Sequence, residues 1–184
     1  MNIFITGGSG LIGEEVSKLL LKKKHKIICF DNYIHKKIKN DKIFYIKGDI
    51  LNFKLIKKSL KHKKIDLLLH LAANLGVEKT EKNAFDCLDI NIEVTKNILK
   101  ACIEAKVKKI IFASSSEVYG NANNKPIKET SELMPKSHYG VSKVVGESYV
   151  QAFYERYKLK YNILRFFNVY GTKQRTGFVI PKFI

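Results

Sequence analysis

Arginine, cysteine and proline are scarce in this 184-residue chain, and long apolar runs are missing altogether. Three cysteines, Cys29, Cys87 and Cys102, lie far apart, with no CxxC pair and no histidine cluster nearby. An odd count at such spacing excludes a disulfide framework and a readable metal site, and predicts reduced, buried thiols. Nothing approaches the roughly 18 consecutive apolar residues of a membrane span, so no membrane partner is expected. The first residues lack the basic leader of a secretion signal, because Ile3-Phe4-Ile5 runs straight into glycines. A cytoplasmic location is the resulting expectation. Three of the 34 basic residues are arginines (Arg156, Arg165 and Arg175), although the net charge is +17. Readers of bases and phosphates lean on arginine forks. The lysines are spread over nearly every polar segment, which predicts a lysine-rich surface and no specific nucleic-acid partner. Weak, salt-sensitive binding to polyanions stays open.

What is present is a soluble globular composition, 45% hydrophobic and 28% charged, long enough for one domain with a sizeable core. Short apolar runs predict strands over 2–6, 27–30, 43–46, 66–71, 110–113 and 161–166. Between them, apolar residues at helical spacing predict helices over 11–24, 53–60, 84–105 and 139–157. Continuous apolar strands separated by helices imply an α/β fold, a parallel sheet of about six strands, doubly wound in the Rossmann manner. The polar stretch 121–136, with Pro126 and Pro135, reads as an ordered loop leading into a helix. The apolar run 177–184 has no polar tail, as though a further element should follow. The expected division is one sheet domain over 1–170 and, over 171–184, the start of a further unit.

Three segments carry the chemistry. The first is Thr6-Gly7-Gly8-Ser9-Gly10-Leu11-Ile12-Gly13, between a strand and a helix. Gly7 permits the tight turn, Gly10 lets the backbone approach a pyrophosphate, and Gly13 lets the helix pack near the sheet. The helix start at Leu11 and Ile12 points amides at the phosphates. A GxxGxxG by itself is common, but Asp31, with Asn32 beside it, ends the second strand about twenty residues on, where an acid meets ribose hydroxyls. That carboxylate disfavours a 2′-phosphate and so favours NAD over NADP, while Lys36 and Lys37 close by keep NADP open. The second segment is Tyr139-Gly140-Val141-Ser142-Lys143. Its four-residue spacing puts both side chains on one helix face, where an ammonium would draw a tyrosine pKa down from about 10 towards working pH. Alone, such a pair is more often a solvated helix face. The third is Ser114-Ser115-Ser116-Glu117-Val118-Tyr119-Gly120, just past the fifth strand, where ligands of such sheets bind.

In this order the three segments resemble the extended short-chain dehydrogenase/reductase family, in particular its NAD-dependent nucleotide-sugar epimerase, dehydratase and decarboxylase branch. Gly48-Asp49-Ile50, His70-Leu71-Ala72-Ala73, Asn91 and Arg165-Phe166-Phe167-Asn168-Val169-Tyr170-Gly171 match as well. The resemblance implies that Ser115 is the catalytic hydroxyl, Tyr139 the base, and Lys143 its partner and a ligand of the nicotinamide ribose. It implies that Asp49 and Ile50 contact the adenine, that Leu71, Ala72, Ala73 and Phe166 line the cofactor, and that Asn168 holds the diphosphate of a sugar nucleotide such as a UDP-sugar. It also implies an NAD-binding domain over 1–170 and, over 171–184, the start of a substrate lobe that is largely absent. Ser116 and Glu117 would face the sugar, and Asn91 would support the site from its helix. The helices over 84–105 and 139–157 would pair two copies into a dimer.

In that branch, a tyrosinate removes a proton from a sugar hydroxyl, usually O4, while the carbon gives hydride to NAD. Dehydratases resemble Thr-Asp-Glu at the positions of Ser115 to Glu117, decarboxylases resemble Thr-Ser-Glu, and many epimerases carry a small residue in place of the glutamate. Ser116 in the middle position disfavours dehydration. The expectation is a 4-epimerase acting through a transient 4-keto sugar, similar to UDP-glucose 4-epimerase, with a UDP-glucuronate decarboxylase second and a 4,6-dehydratase behind it. A cofactor-binding fragment without turnover is the alternative of a different class.

Overall fold

The structure is a computed structural model and describes residues 1–35, 37–61, 64–74, 83–121, 126–172, 174 and 180. Lys36 and most of the apolar run over 177–184 lie outside the described residues. In chain order the elements are β1 (Asn2–Thr6), α1 (Leu11–Lys22), β2 (Lys26–Asp31), β3 (Ile43–Lys47), α2 (Phe53–Lys61), β4 (Leu67–His70), α3 (Ala84–Glu104), β5 (Lys109–Ser115), a 3-10 turn (Ser116–Tyr119), α4 (His138–Tyr157) and β6 (Lys160–Phe166).

All six strands join one parallel sheet in the order β3-β2-β1-β4-β5-β6. The side-chain period of two divides the core into layers. Phe4, Ile28, Phe30, Leu68, Ile110 and Phe112 face one way and pack on α2, α3 and α4 through Ile56, Ile98, Leu99 and Val150. Ile3, Ile5, Ile27, Cys29 and Leu69 face the other way and pack on α1 through Val16 and Leu20. The sheet is thus wound on both faces. The three cysteines are buried thiols outside any disulfide, as their scarcity and spacing implied.

Element ends differ from the periodicity in instructive ways. Helix α1 stops at Lys22, two residues short of the expected end, because Lys24 enters the left-handed region at φ +61°. Lys106 closes α3 in the same manner at φ +54°, and Lys158 closes α4 at φ +57°. The amides of His25 and Val107 reach back to the carbonyls of Leu20 and Cys102, at 3.1 and 2.9 Å. That closure normally uses glycine, so no sequence signal marked it. Strand β5 runs to Ser115 instead of ending at Ala113, because β6 pairs with it as far as Ser115 opposite Phe166.

Candidate active site

The strand order reverses between β1 and β4, and the loops leaving those strands open a crevice at the carboxyl edge of the sheet. Gly7 lies at φ +69° and turns the chain so closely under the β4 loop that a Cβ there would sit 2.9 Å from the Ala72 nitrogen. The Thr6 hydroxyl bridges the two loops, meeting His70 Nδ1 at 2.7 Å and accepting from the Ala72 amide at 3.3 Å. Burial lowers the His70 pKa to about 3, with the nearby Lys143 charge adding to the effect. The imidazole is therefore neutral and shares a single hydrogen bond with the threonine hydroxyl through Nδ1. Helix α1 begins at Gly10 with no side-chain cap, which leaves its first amides for a ligand. Asp31 Oδ2 accepts from the Ser9 amide at 2.9 Å and Oδ1 from Tyr33 at 3.1 Å, which fixes the carboxylate beside the glycine turn.

The second half of the site is built where β5 leaves the sheet. Ser115 is the last residue of β5 and caps the 3-10 turn, its Oγ accepting from the Glu117 amide at 3.2 Å. The Glu117 carboxylate accepts from the Ser137 hydroxyl at 3.0 Å, and Ser137 Oγ in turn accepts from the Gly140 amide at 3.0 Å as the N-cap of α4. A Cβ on Gly140 would lie 2.7 Å from the Glu117 carbonyl oxygen, so a glycine is needed for α4 to start against the turn. Tyr139 occupies the first turn of this helix. Asn91 holds the assembly from α3: its Oδ1 accepts from the Asn74 amide at 2.7 Å and its Nδ2 donates to Ser142 Oγ at 3.2 Å. It ties the β4 loop to α4 as a packed supporting residue.

The Tyr139–Lys143 pair departs from expectation. Lys143 is buried and donates from Nζ to the Ala113 carbonyl at 2.8 Å, while its ammonium lies 5.4 Å from the centre of the Tyr139 ring. Burial, followed by the charges of Cys87 and Glu117, holds the Tyr139 phenol well above its usual range. The expected lowering is therefore absent from the protein alone, because burial of the phenol outweighs the ammonium 5.4 Å from its ring centre. Burial also brings Lys143 itself down to about 8, partly offset by Cys87 and Glu147.

The profile of the NAD dependent epimerase/dehydratase family matches residues 3–184. The chain belongs to this family. It is 36% identical over 203 residues to a dTDP-D-glucose 4,6-dehydratase of Dictyostelium discoideum, covering 99% of this chain and 47% of the relative. It is 33% identical over 173 residues to the UDP-glucose 4-epimerase of Lacticaseibacillus casei, covering 93% and 52%. A decarboxylase of a UDP-sugar acid from Bacillus cytotoxicus is a further relative. The crystal structure of the Thermus thermophilus UDP-glucose 4-epimerase with NAD superposes with a TM-score of 0.88 at 27% identity, over 96% of this chain and 58% of that one. The chain spans about half the length of the curated relatives it matches.

NAD is the cofactor of the family, and the residues present here fit it. The uncapped start of α1, the turn at Gly7 and the fixed Asp31 carboxylate match a pyrophosphate and a ribose diol. The remaining family positions line the same edge. Ile50 is half-buried against the core, whereas Asp49 and Asn32 are exposed. Leu71, Ala72 and Ala73 form the loop after β4, and Phe166 ends β6 beside Ser115. Ser116 opens the 3-10 turn, while Asn168 is exposed past β6. Gly171 returns this segment to the glycine turn, where a Cβ would meet Leu11 at 3.3 Å.

Motif reading assigned no role to the residues that brace this edge. Glu147 is buried, accepts from the Ser114 hydroxyl at 2.5 Å, and receives Arg165 through Nε at 3.0 Å and Nη2 at 2.8 Å. Arg165 also donates to the Tyr119 hydroxyl and the Glu129 carbonyl, each at 2.8 Å. One ion pair thus joins β5, β6, α4 and the loop ahead of α4. The available signal was Glu147 one helical turn beyond Lys143, on the same face as the tyrosine.

Proposed function

We propose that this chain binds NAD along the carboxyl edge of its sheet and supplies the catalytic residues of a nucleotide-sugar 4-epimerase that acts through a transient 4-keto sugar. The observation that carries this reading is the convergence of Ser115, Tyr139 and Lys143, built by β5, the 3-10 turn and α4, at the edge that also holds the glycine turn and Asp31. NAD, when bound, would supply a hydride acceptor. Ser115 would hydrogen-bond the sugar oxygen, and Tyr139 would take its proton once Lys143 is drawn towards the site. Lys143, which burial brings down to about 8, would hold the ribose. Glu117 faces the sugar less as an acid than as the anchor of Ser137, and Ser116 provides no carboxylate for expelling a C6 group. These features support epimerisation over dehydration. A UDP-sugar fits the pattern of the relatives. Asn168 and the segment 171–184 lead into the part that grips the diphosphate and sugar, and α3 with α4 supplies a face for pairing with a second copy in the cytoplasm.

The test is incubation with NAD and either UDP-glucose or UDP-glucuronate, followed by chromatography of the products. Conversion of UDP-glucose to its 4-epimer is the expected result. A UDP-pentose with release of CO2 would establish the decarboxylase instead, and NAD binding without turnover would identify a cofactor-binding unit. Tyr139→Phe is expected to lower turnover by about 10²–10⁴-fold, the usual contribution of a proton-transfer group, with NAD affinity nearly unchanged.

A further inference from the structure

Because all six strands are parallel, their starts form a single edge, opposite the cofactor side. Lysines occupy that edge in register. Lys26, Lys109 and Lys160 open β2, β5 and β6, with Lys26 opposite Asn2 and Lys109 opposite Lys160. Lys42 stands next to Lys26, its carbonyl accepting from the Ile27 amide at 2.8 Å, and the Lys64 carbonyl accepts from the Asn2 side chain at 2.8 Å. At about 4.8 Å per strand the row is about 24 Å wide. The helices deepen it, because α1, α3 and α4 run back to the same edge and end in lysines at Lys24, Lys106 and Lys158. Attraction of cations to helix C-termini accounts for lysines on the helices. It does not account for those that open strands. Two acids of this edge, Asp66 and Glu104, are held in ion pairs with Lys108 and Lys57, with Asp41 and Glu155 nearby. The carboxyl edge carries as many acids, Asp31, Asp49, Asp86 and Glu117, but no row of lysines in register among the described residues. The fold thus lines up along one edge lysines that the sequence spreads over its polar segments.

We infer that this lysine edge docks the protein on an anionic lipid bilayer, with the cofactor crevice facing away into solution. The edge is broad and is built of strand starts and helix ends, with no projecting helix among the described residues to enter a nucleic-acid groove. Its cations are point-charge ammoniums, Arg156 near the end of α4 being the exception among the described residues. Lysine suits a diffuse planar anion better than the forked recognition of bases or single phosphates. The exposed Tyr157 ring is packed on Phe153 at 5.3 Å and carries Arg156 over its face, so it offers no free platform for base stacking.

Sedimentation with vesicles of phosphatidylcholine containing 30% phosphatidylglycerol, compared with pure phosphatidylcholine, tests this docking. Binding is expected only to the anionic vesicles, falling steeply between low and physiological salt. Replacing Lys26, Lys64, Lys109 and Lys160 together by glutamine should weaken it roughly a hundredfold or more. The same change at the exposed Lys47, Lys54, Lys128 and Lys136 should cost less than about tenfold. Circular dichroism and NAD titration of both variants verify the fold independently of lipid. Failure to bind anionic vesicles, or equal losses in the two variants, overturns the inference. So does tighter binding to duplex DNA than to anionic vesicles at the same salt.

Discussion

A Cβ on Gly13 would run into the Gly7 carbonyl oxygen and sit 2.6 Å from Gly8 Cα, contacts with backbone that cannot yield. A Cβ on Gly10 would meet the Gly7 oxygen at 3.3 Å and otherwise project into the crevice. The two glycines therefore separate folding from binding. Gly13→Ala is expected to cost about 1–3 kcal/mol, as overpacking does, lowering Tm by roughly 2–12 °C in thermal denaturation. Gly10→Ala should melt close to the parent protein yet bind NAD at least about tenfold more weakly by calorimetric titration, because a methyl stands where the pyrophosphate must approach. Cys29 marks another tight contact at this turn. Its sulfur lies 3.6 Å from the Ser9 hydroxyl, and burial pushes the thiol up to about 11, so it acts as packing and not as a nucleophile.

At the scale of elements, the start of α4 decides where Tyr139 stands, and its cap is a relay: Glu117 accepts from Ser137, which accepts from Gly140. Ser137→Ala removes both bonds. It is expected to lower stability by about 1 kcal/mol, as N-cap losses do. Turnover should fall more than NAD affinity, because the first turn loses its fixed place against the 3-10 turn. Equal melting temperature and equal turnover in the variant would remove Glu117 from its positioning role. The strands and helices themselves were legible in the sequence, since buried parallel strands read as unbroken apolar runs and helices as four-residue steps. Their ends were not: three helices close on lysines in the left-handed region, and β5 continues to Ser115 only because β6 pairs with it. The motifs brought the glycine turn, Asp31, Ser115 and Tyr139 to one edge, whereas the hydrogen bond of Lys143 to Ala113 and the clamp of Arg165 on Glu147 depend on side chains meeting across different elements. Spacing puts Lys143 and Glu147 on one helix face but does not say what they meet across it.

For the whole molecule, the switch point between β1 and β4 is both the cofactor crevice and a weak point towards acid. His70 is 2% exposed, stacked by Phe112 and tied to Thr6, and its folded pKa near 3 lies below the value of about 6.5 in an unfolded chain. Between those values the unfolded chain binds one more proton than the folded one. The histidine's contribution to stability is therefore complete above about pH 6.5 and falls as pH drops, by up to about 1.4 kcal/mol per pH unit. Asp66, whose carboxylate is lowered mainly by its bond to Lys108, adds its own loss only below the ordinary carboxylate range. Denaturant unfolding between pH 7 and 5 therefore isolates the histidine. His70→Asn retains a hydrogen-bonding partner for Thr6, able to donate or accept, without a basic nitrogen. It should be less stable than the parent at pH 7, where the ring fills its site, yet lose less stability on acidification. Parallel pH profiles for the two proteins would show that His70 opens to water before it titrates, and that the seam between β1 and β4 is looser than its packing indicates.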